Sequence, residues 1–233
     1  MKILILTFWC LVPLGLLAFH YGPGQKGVAL DHAGDHLSLA ESRVKSEKWT
    51  EAIDAYEQAL GALPKDRIAE ARKIRLEIAK ARMESGQLPL ARTDLEQLAK
   101  ELEADPSADH ATRDEALATL ASSRFYMTYL MKLEGLPEAE WEPEIEAARQ
   151  ERKLLVQRAK EAGDEKAAAK HADDLESAIK LARTDPAELY GKPIPTPCCC
   201  KSGKCKKPSA KPATKQKDAR GASSGPPIDG EGS

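Results

Sequence analysis

From Leu30 to Arg183 the apolar residues recur three and four positions apart, and the alternation expected of a half-buried strand is absent. The spacing resolves into seven stripes. Leu37, Ala40 and Val44 form the first, and Trp49, Ala52, Ile53, Tyr56, Leu60 and Leu63 the second. Ala71, Ile74, Ile78 and Ala81 follow, then Leu88, Ala91, Leu95, Leu98 and Leu102. Leu117, Leu120, Ala121, Phe125 and Met131 belong to a longer fifth helix. Ile145, Ala148, Leu155 and Ala159 form the sixth stripe, and Ala168, Ala172, Leu175, Ile179 and Ala182 the seventh. Each stripe predicts a helix with one face to bury. The punctuation agrees: Pro64, Gly86, Asp105-Pro106, Gly135 with Pro137, and Thr184-Asp185-Pro186 fall between or after stripes. Gly163 suits a left-handed helix end and Asp164 a following N-cap. Pro143 is expected to interrupt the chain between the helices of the third pair. Residues 28–190 are therefore expected to be all-α, with about seven antiparallel helices joined by short connections.

The ends differ from this body. Ile3 to Phe19 is apolar apart from Thr7, with Lys2 before it and the helix-stopping His20-Tyr21-Gly22-Pro23-Gly24 after it. An uncleaved anchor needs about 17–25 residues, and Met1 to Tyr21 reaches that length. A cleaved signal peptide is the alternative, although its best cut, after Ala18, places Leu16 where a small residue is preferred. Residues 1–27 are thus expected to be an N-terminal hydrophobic helix and short linker. That makes the protein single-pass with its helical domain outside the cytoplasm, or secreted or periplasmic if the segment is cut. Residues 191–233 read as a Pro-, Cys- and Lys-rich disordered tail. Pro193 to Pro197 suit polyproline-like chain, and almost nothing apolar follows Cys205.

Composition refines this picture. The apolar share of 42% supports a core, but only 3 Phe, 5 Tyr and 3 Trp are present, so the core must rest on Leu, Ile and Ala. The net charge of -2 conceals an asymmetry: residues 27–191 hold 24 basic and 34 acidic side chains, and residues 192–233 hold 9 and 3. An acidic body with a basic tail is not one uniform nucleic-acid-binding surface, and no nucleic-acid partner is expected.

Four of the five cysteines, Cys198, Cys199, Cys200 and Cys205, lie within eight residues. Lysines beside them favour thiolate. Closely placed thiolates suit a soft metal, Cu or Zn, but the spacing lacks the paired two-residue gaps of a zinc site. Disulfides or bridges between chains compete outside the cytoplasm. His32 and His36 stand one helical turn apart, with only Asp35 near as a third ligand. No Gly-rich phosphate loop or nucleophile elbow occurs, and the acidic run from Glu138 to Glu146 suits exposed helix starts. An enzyme is not expected.

Trp49, Ala52, Tyr56, Ala59, Leu60 and Pro64, with Ala40 before them, resemble a tetratricopeptide (TPR) repeat, in which Ala marks helix contacts and Pro closes the unit. Ala79, Gly86, Leu88, Ala91, Leu95 and Leu98 resemble a second unit, with Gly86 placed 39 residues after Glu47. Arg43 and Arg82 stand where the family commonly carries an aromatic residue, and Glu103 stands where the second closing Pro belongs. Thr112 to Ala162 match more loosely. The resemblance implies a TPR-like α-solenoid that binds a protein partner in a groove lined by first helices. Carried over by position, that groove contains Leu37, Glu41 and Val44, then Lys73, Leu76, Lys80 and Met83. The implied function is a membrane-anchored scaffold or adaptor. The alternative is a thiol-rich metal-binding or metal-delivery protein acting through the Cys198–Cys205 cluster.

Overall fold

The computed structural model describes residues 23–190, all within the first of the chain's two units, residues 1–193. Seven long helices and one short one account for most of them: α1 (Pro23–Lys45), α2 (Trp49–Ala62), α3 (Ile68–Glu84), α4 (Leu88–Ala104), α5 (His110–Leu133), α6 (Glu138–Glu161), α7 (Glu165–Arg183) and α8 (Pro186–Leu189). No strand occurs among the described residues. The apolar segment before residue 23 and the cysteine-rich tail lie outside them, and no helix among them is long and apolar enough to cross a membrane.

Two prolines behave otherwise than the sequence suggests. Pro23 and Gly24, expected to stop a helix, open α1, where the missing proline N–H costs nothing. Pro143 lies inside α6 instead of interrupting it. It removes one backbone bond near the start of the helix, where Ala139, Glu142 and Pro143 are exposed to water. Burial of Trp141, Ile145 and Ala148 on the opposite side holds the turn together. A short helix after Pro186 was not foreseen; Asp185 caps it by accepting from the Ala187 N–H at 2.8 Å.

Four of the helix connections are the same turn. Each ends its helix with one left-handed residue: Glu47 (φ 58°), Gly86 (81°), Gly135 (74°) and Gly163 (73°). The next N–H reaches back five residues, Lys48 to the Arg43 carbonyl, Gln87 to Arg82, Leu136 to Met131 and Asp164 to Ala159, at 2.9 to 3.0 Å. These bonds satisfy carbonyls that a helix end otherwise leaves open. Asp164 then caps α7 through the Ala167 N–H, as its position predicts.

Packing is sequential: each long helix lies chiefly against the one before it and the one after it, with smaller contacts from α3 to α5 and from α5 to α8. The core is accordingly three successive clusters. The first joins Ala40, Ala52, Tyr56, Ile74 and Ile78 across α1, α2 and α3. The second joins Leu76, Ala79, Leu95, Leu98, Leu102 and Leu120 across α3, α4 and α5. The third joins Tyr129, Trp141, Ile145, Ala178, Leu181 and Leu189 across α5 to α8. Helices α3 and α5 serve two clusters each. At 3.6 residues per turn, Ile74, Ile78 and Ala81 lie opposite Leu76, Ala79 and Met83.

The two ends are closed differently. At the positions in α1 that correspond to Ile74, Ile78 and Ala81, 39 residues earlier, stand Asp35, Leu39 and Ser42, all exposed. That edge is largely polar, as a terminal helix requires. At the other end Lys132 is buried 4.0 Å over the Trp141 ring, and its ammonium donates to the Leu181 and Ala182 carbonyls at 3.1 Å each. It caps the end of α7 with a cation, where the helix dipole favours one. Tyr190 closes the unit by donating its hydroxyl to the Leu133 carbonyl at 2.8 Å.

The turns make a test. Glu47 occupies a left-handed position that its three counterparts give to glycine, and it is exposed. Glu47→Gly should raise the unfolding free energy by about 0.5–1 kcal/mol. Gly86→Ala, which meets no neighbouring atom within 4 Å, should lower it by about 1 kcal/mol through backbone conformation alone. Urea unfolding followed by circular dichroism measures both, and opposite signs are expected.

Candidate functional site

The residues that the repeat resemblance places in a groove do not share one surface. Leu37 and Val44 pack on the first core cluster, while Leu76 is 2% exposed in the second, with Met83 packed against it. These four are spent on the core. Glu41 and Lys73 are exposed. Lys80 is half-buried and already paired, donating to Glu77 at 3.0 Å and to Glu115 of α5 at 2.6 Å.

The periodicity of α3 identifies a fourth, polar side. Ile74, Ile78 and Ala81 face the first cluster, and Leu76, Ala79 and Met83 the second. Arg75 and Arg82 turn to α4, pairing with Glu101 and Asp94. The remaining side carries Lys73, Glu77, Lys80 and Glu84, three and four residues apart. The matching positions of α1 are Ser38, Glu41 and Lys45, all exposed, and those of α5 are Glu115, Thr119, Ser122 and Tyr126. This side is polar throughout. Tyr56 of α2 is influenced by it: burial pushes its hydroxyl up to about 12, with Glu77 and Glu41 adding to the rise.

The densest chemistry lies elsewhere, at the joint of α4, α5 and α6. Arg124 of α5 is buried and reaches Glu144 at 3.0 Å, Glu151 at 3.1 Å and Glu96 at 3.8 Å. Arg92 of α4 pairs with Glu96 at 3.2 Å and also with Glu144. Beside them, Arg152 of α6 is buried against α7. It lies 3.0 Å from Asp174 and 3.2 Å from His171 Nδ1, and donates to the Ser122 hydroxyl at 2.6 Å. Burial, then the Arg152 charge, holds the His171 imidazole below its ordinary value. Arg158 links Glu103 of α4 with Asp114 of α5 at 2.8 and 2.9 Å, and its bond to Glu103 lowers that carboxyl.

Sequence reasoning missed this joint, although a signal was present. Ala40, Ala79 and Ala121 are each followed three residues later by arginine: Arg43, Arg82 and Arg124. The alanines are 0 to 1% exposed. Arg82 takes carboxylates from the helix before, Glu57 at 2.8 Å, and from the helix after, Asp94. Arg124 does the same with Glu96 and Glu144. Arg43, at the end, pairs only with Glu51, at 3.2 Å in exposed surroundings.

Other candidates offer less. His32 and Asp35 are exposed and His36 is half-buried. Among the described residues no group of three or more His, Cys, Asp or Glu side chains is placed to hold a metal ion. A cleft of about 280 Å³ opens between the end of α2, the start of α3 and Glu101 of α4. Its arginines are already paired, Arg67 with Glu70, Arg72 with Asp105 and Arg75 with Glu101. Cys198, Cys199, Cys200 and Cys205 lie outside the described residues.

No protein-family model matches the chain, and no curated protein matches it.

The three register-matched arginines predict a graded series. Arg124→Met strands Glu151 in a desolvated place, leaves Glu144 to Arg92 alone and should cost about 3 kcal/mol or more of stability. Arg43→Met removes an exposed pair and should cost less than about 1 kcal/mol. Urea unfolding of the two variants checks the order; equal losses would show that the joint does not depend on its buried charge.

Proposed function

We propose that this chain is a TPR-like helical-repeat scaffold that binds another protein along the polar side of its first helices, chiefly the exposed charges of α1 and α3. The observation that carries the reading is the register. In three successive pairs the first helix has a buried alanine followed three residues later by an arginine, which bridges the flanking helices in the second and third pairs; the connecting turn is left-handed, and the first helix carries a polar side. Sequential packing with a largely polar first edge suits a short solenoid. The apolar segment Ile3 to Phe19 would attach this body to a membrane, with the helices outside the cytoplasm. In this reading the protein acts by binding, not by catalysis.

The partner meets Glu41, Lys45 and Lys73 first, because Leu76 and Met83 are committed to the core and Lys80 to Glu115. A second reading rests on one sequence observation, the four thiols between Cys198 and Cys205. Closely placed thiolates suit soft-metal capture, with the helices presenting the tail.

One experiment separates the two. Full-length protein is crosslinked in membranes, and the captured protein is identified and quantified. Glu41→Lys combined with Lys73→Glu should reduce capture of that same protein several-fold. Asp54→Lys on the exposed side of α2 should not, nor should serine at all four tail cysteines. Undiminished capture by the Glu41/Lys73 variant rules out the groove, and loss on cysteine replacement moves the function to the tail.

A further inference from the structure

Three carboxylates converge on the side chain of Arg124: Glu96 of α4, with Glu144 and Glu151 of α6. Two guanidinium groups serve them, Arg124 and Arg92. Arg152, next to Glu151 in sequence, is turned to Asp174 and Ser122. Lys100 takes the outer side of Glu96 at 3.0 Å, so the cations match the carboxylates in number and what sets Glu151 apart is its burial. Water barely reaches its inner part, where the side chains of Arg124, Glu144 and Glu151 are 11%, 14% and 15% exposed, while Arg92 and Glu96 form its wetter rim.

The three carboxylates are not equivalent. Glu144 is held by Arg92 and by Arg124, and Glu96 by Arg92 and Lys100. Glu151 has only the Arg124 Nε, 3.1 Å from its Oε1 but off the hydrogen-bonding direction, and its Oε2 is buried with no hydrogen-bond partner. A desolvated carboxylate with an unsatisfied oxygen, beside two others, is the one that takes up a proton.

We propose that Glu151 is the proton-binding element of a pH-sensitive joint between the second and third helix pairs. Protonated, it leaves Arg124 to Glu96 and Glu144, and no charged oxygen is held without a hydrogen-bond partner in the desolvated space. Ionised, it sets a third negative charge in the same desolvated space and weakens the attachment of α6 to α4 and α5. The inference rests on the joint alone and holds whether or not the molecule is a scaffold.

Burial is the strongest influence on Glu151. It pushes the carboxyl up to about 7 against the pull of Arg124, and Glu144 adds to the rise. The groups facing the joint from each neighbouring element are Arg92 and Glu96 on α4, Arg124 on α5, and Glu144 and Arg152 on α6. His171 and Asp174 on α7 act on it through Arg152. Between the ordinary carboxyl value of 4.5 and about 7 the folded chain holds this proton and the unfolded chain has released it. Stability from Glu151 therefore falls as pH rises across that window and levels off above it. His171 acts in the opposite sense. Its folded value is lowered, so below its ordinary 6.5 the unfolded chain takes up the proton first and the His171 contribution falls as pH drops. The two windows overlap, and only a site-resolved measurement separates them.

Full-length protein labelled with carbon-13 at its glutamate carboxyl groups is titrated by NMR from about pH 4 to about pH 9. The Glu151 signal is assigned by its loss in Glu151→Gln. Its midpoint should fall near 7. The amide protection factors of α5 and α6 should drop several-fold across the same midpoint while those of α2 stay level. Glu151→Gln should hold the low-pH protection throughout. A Glu151 midpoint below about 5, in the ordinary carboxyl range, overturns the proposal. A midpoint near 7 with unchanged α5 and α6 protection overturns it equally, because the proton would then not act on the joint. Should Glu151→Gln not fold, assignment through the side-chain couplings of the wild type leaves the same test in place.

Discussion

A helix with apolar residues on two opposite faces has to be covered twice, and α3 and α5 are such helices. Ile74 and Ile78 cannot be buried by the elements that bury Leu76 and Ala79. One pair of helices therefore never completes a core. Each fully buried aliphatic side chain contributes about 1.5–3 kcal/mol over its exposed state. Half of that contribution in α3 depends on α1 and α2, the other half on α4 and α5. Cooperativity along the chain follows from this division: loosening one pair exposes a face of the next. The third pair obeys the same rule with a longer first helix. Chain α5 runs nine residues beyond Arg124, whereas α1 and α3 stop two residues beyond Arg43 and Arg82. That extension carries Tyr129, Met131 and Lys132 into the third cluster.

Alanine at the crossing points lets the helices approach, and the arginine three residues on uses the space beside the crossing. Leu or Phe there would fill the gap with dispersion contacts. Arginine fills it with an aliphatic stem and a planar fork that can bind a carboxylate on either side. Glu57 and Asp94 on Arg82, and Glu96 and Glu144 on Arg124, tie alternate helices, and α4 and α6 are tied directly as well by Arg92 with Glu144 and Arg158 with Glu103. The energetic gain is small where water reaches the pair, as at Arg43 and Glu51. It becomes conditional where water does not, because a buried charge without a full complement of partners opposes folding. The same substitution of guanidinium for an apolar side chain thus gives a surface ornament at one end and a sensitive joint near the other.

Much of the helical layout is legible in the sequence because spacing and punctuation report local geometry. Seven stripes correspond to seven long helices, and Gly86, Gly135 and Gly163 mark their turns. The misreadings have a common cause: a local rule was outweighed by neighbours that the sequence does not name. Pro143 stays helical because Trp141 and Ile145 are buried on the far side. Pro23 opens a helix instead of ending one, because at a first helical position its missing N–H costs nothing. For the candidate groove, periodicity placed Lys73, Leu76, Lys80 and Met83 close together on one helix, but it could not say that a following helix pair covers Leu76 and Met83. Arg124 was passed over because a charged residue in a helix reads as solvated until its three partners, one 28 residues before and two 20 and 27 after, are brought to it.

The remaining side of α3 follows by elimination, and its chemistry follows from that. Two faces are spent on neighbouring clusters and a third on arginine pairs with α4, so what is left must be tolerable in water. Lys73, Glu77, Lys80 and Glu84 meet that condition, and no large apolar residue lies among them. A surface of this kind offers no buried anchor of the sort that dominates tight protein interfaces. Under the proposed scaffold reading it would select partners by the order of charges and by hydrogen bonds, with the on-rate more responsive than the dissociation rate to salt. Lys80, already shared by Glu77 and Glu115, is a poor place for a partner's carboxylate to bind, since the newcomer has to displace two existing ones. Recognition along this side is therefore expected to begin at its less engaged charges, Glu41 and Lys73, and to require a partner whose own charges alternate in sign along its length.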